Sequence, residues 1–274
     1  MEAALRRILA ILAMLIIALP PAFAGQKRSV DGPAEIWPKG LIAALDPLAA
    51  PLGVMVSEIT WREGYLPRHP DAFARVLRTL KPMDVLVLRS RQRLTSRLIP
   101  GWFIHTATYL GTERELKALG VWDHPDVKPH WKAIRAGKRF IEADHMGVRL
   151  SEAAYVLATD AVAVVRPTRK KPGPRTMALS YFGRLGTKYD FHMNAEDDRK
   201  LFCSELTDMA IGGGLPRRRM YDRVTIVPSD VAVAATNGTA GLSLVLYMRA
   251  RRDGWEVAGA RALRADVKAG WAQR

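Results

Sequence analysis

The chain is poor in cysteine, in acidic residues and in histidine, and each shortage excludes something. One Cys in 274 residues leaves no intramolecular disulfide framework and no cysteine-cluster zinc site. Asp and Glu number 27 against 42 Lys and Arg, a formal net charge of +15. The 6 His follow no metal-ligand spacing, so no metal and no cofactor is expected. No repeat of about 20–50 residues stands out, which excludes solenoids and propellers. Beyond residue 30 no apolar run reads as long enough to span a bilayer, which excludes an ordinary polytopic membrane protein. Apolar residues make up 49% of the chain and charged ones 25%. That supports one large domain or two small ones and argues against disorder.

The amino terminus reads as a leader. Arg6 and Arg7 precede a continuous apolar run over residues 8–19, which Pro20 and Pro21 break and Ala22-Phe23-Ala24 closes. This is the layout of a secretory signal over residues 1–24, with a retained membrane anchor as the alternative. The protein is therefore expected outside the cytoplasm, periplasmic or secreted. Residues 25–80 read as an amino-terminal extension, with a helix over 70–80 carrying Phe73, Val76, Leu77 and Leu80 at helical spacing. A core domain is expected over 81–240 and a carboxy-terminal strand with a basic tail over 241–274. Val85-Leu86-Val87-Leu88 reads as a buried strand, and 103–110, 139–143, 148–150 and 161–165 as further strands. A helix over 204–211 stops at Gly212-Gly213-Gly214. Asn237-Gly238 reads as a hairpin turn.

Three segments carry candidate chemistry. His105 lies on a strand of apolar and hydroxyl residues, Glu142 interrupts an apolar strand, and Cys203 precedes a short helix. A thiol at a helix start meets the positive end of the helix dipole, which favours thiolate. A histidine can take its proton, and a carboxylate on the other ring nitrogen would fix the tautomer. Adjacent strands can put His105 and Glu142 on one face. Each residue also has a plainer reading: a buried apolar thiol, a satisfied core histidine, a carboxylate on a wet edge strand.

The order of the segments resembles the NlpC-type papain-like cysteine hydrolases in circularly permuted form, the YiiX-like amidases. Asp84-Val85-Leu86 is similar to that family's Gly-Asp-Ile-Ile strand, and His105-Thr106-Ala107-Thr108-Tyr109-Leu110-Gly111 to its His strand. Phe140-Ile141-Glu142-Ala143 followed by Gly147-Val148-Arg149-Leu150 is similar to the strand bearing its third polar residue. Gly186-Thr187-Lys188-Tyr189-Asp190-Phe191 and Phe202-Cys203-Ser204-Glu205-Leu206 resemble its carboxy-terminal pair, with Pro228-Ser229-Asp230 trailing. The resemblance covers roughly residues 81–232. It implies an α+β fold, an antiparallel sheet or small barrel packed on helices, one of which carries the Cys. It implies Cys203 as nucleophile, His105 as base and acid, and Glu142 as orienting residue, with Tyr189 and Ser204 at the substrate. The chain departs from the family where Ala107 and Met83 stand in place of glycines.

Basic clusters at 89–97, 166–175, 217–219 and 249–252 suit anionic membrane surfaces or cell-wall carboxylates. No nucleic-acid motif is present, and no nucleic-acid partner is expected. Three functions follow. The first is an exported amidase acting on cell-wall peptide. The second is a lipid acyl hydrolase or acyltransferase, as in related permuted members resembling lecithin retinol acyltransferase. The third is a binding module without turnover. An apolar groove beside Cys203 would favour lipid, a carboxylate-binding pocket would favour peptide, and a His105 ring turned away from the thiol would favour binding alone.

Overall fold

The structure, a computed structural model, describes residues 38–272. The leader expected at 1–24 and the first part of the extension lie outside the described residues. Within them the chain runs α1 (Lys39–Leu45), α2 (Ala49–Glu58), α3 (Pro70–Thr79), β1 (Val85–Arg89), β2 (His105–Tyr109), α4 (Glu113–Ala118), α5 (Trp131–Arg135), β3 (Lys138–Asp144), β4 (Gly147–Glu152), α6 (Ala153–Val156), β5 (Ala161–Pro167), α7 (Pro174–Phe182), α8 (Cys203–Ala210), β6 (Arg218–Met220), β7 (Arg223–Thr225), α9 (Pro228–Thr236), β8 (Leu242–Arg251), β9 (Gly254–Ala258) and α10 (Ala260–Ala272). Seven strands form one sheet in the order β4-β3-β2-β1-β5-β8-β9, with every pairing antiparallel. This is the α+β arrangement expected, as an open sheet with edges at β4 and β9 rather than a closed barrel. β6 and β7 form a separate hairpin.

The centre of the sheet is covered on both faces, which explains the unbroken apolar runs. Val85 and Val87 of β1 enter one apolar cluster and Leu86 and Leu88 another, the period of two that a strand imposes. β5 repeats the arrangement, with Ala161, Ala163 and Val165 on the first side and Val162 and Val164 on the second. The first side is filled by residues of α7, α8, α9 and α10, among them Tyr181, Leu206, Val231 and Leu263. The second is covered by Leu66 and by Ala72 and Val76 of α3.

The amino-terminal extension is thus part of the core from Leu66 onward. It is also tied down by Arg62, whose two terminal nitrogens reach the Asp160 carboxylate at 2.8 and 2.7 Å. The carboxy-terminal segment is likewise no tail, because β8 pairs with β5 over Leu242 to Arg249 inside the main sheet. Gly270 of α10 lies so close to Trp102 that an added Cβ would sit 2.8 Å from its Cα. Asn237-Gly238 is not a hairpin turn either. Asn237 caps α9, with its N–H donating to the Val233 and Ala234 carbonyls, so this dipeptide stops a helix.

The expectation that no apolar run beyond residue 30 could span a bilayer is corrected. Lys39–Glu58 is helical over 20 residues, and only 11% of its apolar window is buried. Pro47 and Pro51 do not interrupt this stretch. Each falls in the first turn of its helical segment, where the missing N–H has no intrahelical partner to lose.

Asp84 anchors the start of β1. Its buried carboxylate accepts from Arg166 Nε at 2.7 Å, Arg166 Nη2 at 2.6 Å and the Lys81 N–H at 2.8 Å. The preceding Met83 has φ +72°, a left-handed conformation that costs an L residue about 1–2 kcal/mol and that the family's glycine adopts freely. The Met83 side chain is buried in the core, which offsets that cost. Asp84→Ala removes the partner of a half-buried guanidinium. It should destabilise the fold by about 3 kcal/mol, lowering Tm by about 6–12 °C in calorimetry for a domain of this size.

Candidate active site

The site is assembled where β2, β3 and α8 meet. Ala107 of β2 pairs with Glu142 of β3, so His105, two residues earlier, lies on the same face and diagonal to Glu142, within side-chain reach. His105 Nε2 is 2.8 Å from Glu142 Oε2. Glu142 is 1% exposed and His105 23%. The other Glu142 oxygen accepts a short hydrogen bond from Ser151 Oγ on β4, and Arg149 Nη2 stands 3.5 Å from it. Arg149 is held in turn by Asp144, with Nε at 2.9 Å and Nη2 at 2.8 Å. A carboxylate buried so deeply needs such partners, because an uncompensated charge in the interior costs several kcal/mol.

The alternate residues of β2, Thr106 and Thr108, face the helices. Thr106 Oγ1 is 3.2 Å from Thr207 Oγ1 of α8, and Thr108 Oγ1 is 2.7 Å from the Tyr181 hydroxyl of α7. These contacts fix α8 against β2. Phe202 is extended, at φ −104° and ψ 168°, and the helix starts at Cys203. The thiol is therefore at the positive end of the helix. Beyond the other end, Gly212 at φ +84° turns the chain as a left-handed stop.

Cys203 is buried, at 1% exposure. Burial pushes its thiol pKa up, but the His105 charge, the His105 hydrogen bond and the hydrogen bonds from the Thr106 backbone and hydroxyl outweigh it and lower the pKa. For His105, burial favours the neutral ring. The Cys203 charge and hydrogen bond, then Glu142, overcome this and lift the imidazole to about 10. Since Glu142 engages Nε2, Nδ1 is the nitrogen left for the thiol. The lowered thiol and the raised imidazole together favour a thiolate–imidazolium pair.

Tyr189 forms a parallel bridge with Leu201 just before α8. Its phenol pKa is pushed well above the ordinary value, first by burial and then by the Cys203, Asp190 and Asp144 charges. It stays a protonated O–H donor. His105 and Tyr189 line a cavity of about 70 Å³ of mixed character, together with Ser57, Arg93, Glu142 and Tyr155 as well as Leu88, Ile104 and Val156.

The structure thus brings together Cys203, His105 and Glu142, with Tyr189 at the pocket wall. It does not bring Ser204. That hydroxyl is fully buried and donates to the Ile226 carbonyl at 2.6 Å, because the helix turns position two of α8 away from the cavity. Ser151 and Thr106 were missed. Their signal, polar residues at alternate positions of apolar strands, acquires meaning only once the strand register is known. Pro228-Ser229-Asp230 opens α9, where Ser229 Oγ accepts from the Phe103 N–H at 2.9 Å and Asp230 pairs with Arg218.

A family model described as permuted papain-like amidase enzyme, YaeF/YiiX, C92 family, matches residues 79–232. That span contains Asp84, His105, Glu142, Tyr189 and Cys203. No curated protein and no solved structure matches the chain.

Two outcomes follow from the charges. Iodoacetamide should alkylate Cys203 in the intact protein at a rate that persists below the ordinary thiol pKa of about 8.5. His105→Ala should move that titration up to or beyond it, since burial then acts on the thiol without the opposing imidazolium. Glu205, beside the site, has its carboxyl raised to about 8, chiefly by burial. A carboxyl raised above its unfolded value of about 4.3 withdraws stability as pH rises from there through about 8. Glu205→Gln should therefore raise Tm more at pH 9 than at pH 4, and equal shifts at both would refute this origin.

Proposed function

The chain belongs to the permuted papain-like amidases of the YaeF/YiiX, C92 family, cysteine enzymes that act on amides, and we propose that Cys203, His105 and Glu142 carry its reaction as a triad. The observation that carries this reading is the His105 ring held between the Cys203 thiol and the Glu142 carboxylate. A ring turned away from the thiol would have favoured a binding module.

In the proposed reaction the Cys203 thiolate attacks the amide carbonyl carbon. The carbonyl electrons move to oxygen, where the Cys203 N–H, one of the helix-start donors without an intrahelical acceptor, stabilises the oxyanion. The C–N bond then breaks. The amine leaves with the His105 proton, and a thioester remains on Cys203. Water attacks this acyl-enzyme while His105 takes its proton, and breakage of the C–S bond releases the acid and restores the thiolate–imidazolium pair. Glu142 holds Nε2 throughout, so that Nδ1 faces the sulfur. Tyr189 contributes a neutral O–H at the cavity wall.

The leader-like residues 1–24 support export, which makes cell-wall peptides and acyl lipids the available amide-bearing substrates. The basic surface supports work beside an anionic envelope. Two substitutions test the triad. Cys203→Ala should abolish hydrolysis while Tm stays near wild type. Glu142→Gln should lower kcat about 10²–10⁴-fold with a smaller change in KM. Undiminished activity in Cys203→Ala on amide and ester substrates alike would refute the assignment.

A further inference from the structure

A second cavity of about 250 Å³ adjoins the first. Ser57, Thr95, Ile99 and Tyr189 line both, so the two cavities share a wall, and His105 lines the smaller one. The walls of the larger cavity are more apolar than those of the smaller pocket. Leu45 of α1, Leu52 and Val56 of α2, and Leu98, Phe191 and Met220 across from them make it apolar. Gly53 is what lets α2 close this wall, since an added Cβ there would lie 2.1 Å from the Phe191 ring.

The charged side chains of this cavity offer no site for a carboxylate. Arg223 is bound to the Asp46 carboxylate, and His192 Nε2 is 3.7 Å from the same group. Among the described residues of this cavity, then, no unpaired cation receives an acidic group, and Arg93 lies in the adjoining pocket. The outer side of α1 and α2 is apolar as well. Ala43, Ala44, Ala50 and Val54 are exposed, on a helical stretch long and apolar enough to cross a membrane. One element therefore lines the cavity with one side and presents an apolar surface with the other, as helices lying at a lipid interface do.

A substrate spanning both cavities must be polar at one end and apolar at the other, with its scissile carbonyl at the junction. We infer that the apolar groove takes the long acyl chain of a lipid, and that the enzyme cleaves this chain from a polar amine or alcohol held in the pocket of His105 and Arg93. This rests on the thiol-amidase reading above and names its substrate class. Thiolate attack on the acyl carbon breaks the bond to nitrogen or oxygen, the leaving group takes the His105 proton, and water releases the fatty acid from the thioester.

The test uses the full chain and p-nitrophenyl esters below their micellar concentrations. The acetate, the decanoate and an ether-substituted chain of decanoate length are compared by kcat/KM. The decanoate should exceed the acetate by about 10²-fold or more, because each buried methylene adds to transition-state binding, and the polar chain should not. Ala49→Trp, which fills the groove, should cut the decanoate-to-acetate ratio by about tenfold. Ala49→Gln, polar rather than bulky, serves if the first variant fails to fold by its Tm. Acetate turnover that needs Cys203 but a decanoate no faster than the acetate would overturn the inference and leave the amidase reading standing. A groove filled by the chain's own apolar residues 8–19 or by a second copy would give that result. Acetate turnover that persists in Cys203→Ala would overturn both.

Discussion

A carboxylate buried at 1% exposure inside a sheet is the constraint on which the site depends. Glu142 cannot stay charged there alone, and the structure surrounds it with the His105 ring, the Ser151 hydroxyl and the Arg149 guanidinium. Each partner comes from a neighbouring strand position, so the β2–β3–β4 register and the protonation of His105 are one problem. Once the imidazole carries its proton, the buried thiol can carry the complementary charge. Glu142 adds to the support that the Cys203 thiol gives the imidazolium against the cost of burial.

The rest of the fold supplies rigidity to that arrangement. β1 and β5 are apolar on both faces, so the sheet is clamped between helices on one side and the amino-terminal segment on the other. The thiol is positioned from the helical side, by Thr106–Thr207 and Thr108–Tyr181 contacts that lock α8 and α7 against β2. Met83 and Asp84 show how firmly the first strand is held. One residue tolerates a left-handed backbone, and the next carries a paired, buried charge at the strand's start.

The region before residue 79 lies outside the span shared with the permuted papain-like amidases, yet it forms one wall of the apolar cavity beside the site. A fold common to many chemistries acquires its specificity from what is added around the reacting atoms. α1 and α2 lie outside that span, and some of their apolar residues line the cavity while others stay exposed.

Much of this was legible in the chain. Unbroken runs such as Val85 to Leu88 announced strands buried on both faces, and the order of the His, Glu and Cys segments identified the permuted family. Local pattern fell short wherever a residue's role depended on a partner distant in sequence. Ser151 and Thr106 became site residues only through register. Ser204, next to Cys203, turned to the Ile226 carbonyl because helix phase rotates successive side chains by about 100°. Asn237-Gly238 has the composition of a hairpin and ends a helix instead, because the residues before it pack as α9. Pro47 and Pro51 are tolerated because each falls in a first helical turn. By itself the sequence determined which residues are chemically able to form a thiolate–imidazolium–carboxylate set and which runs must be buried, because side-chain chemistry and period are local properties. Only the tertiary structure decided that His105 bridges the other two, and that an apolar groove opens beside them. Distances between strands, and the face a helix leaves uncovered, are set by packing across the whole chain.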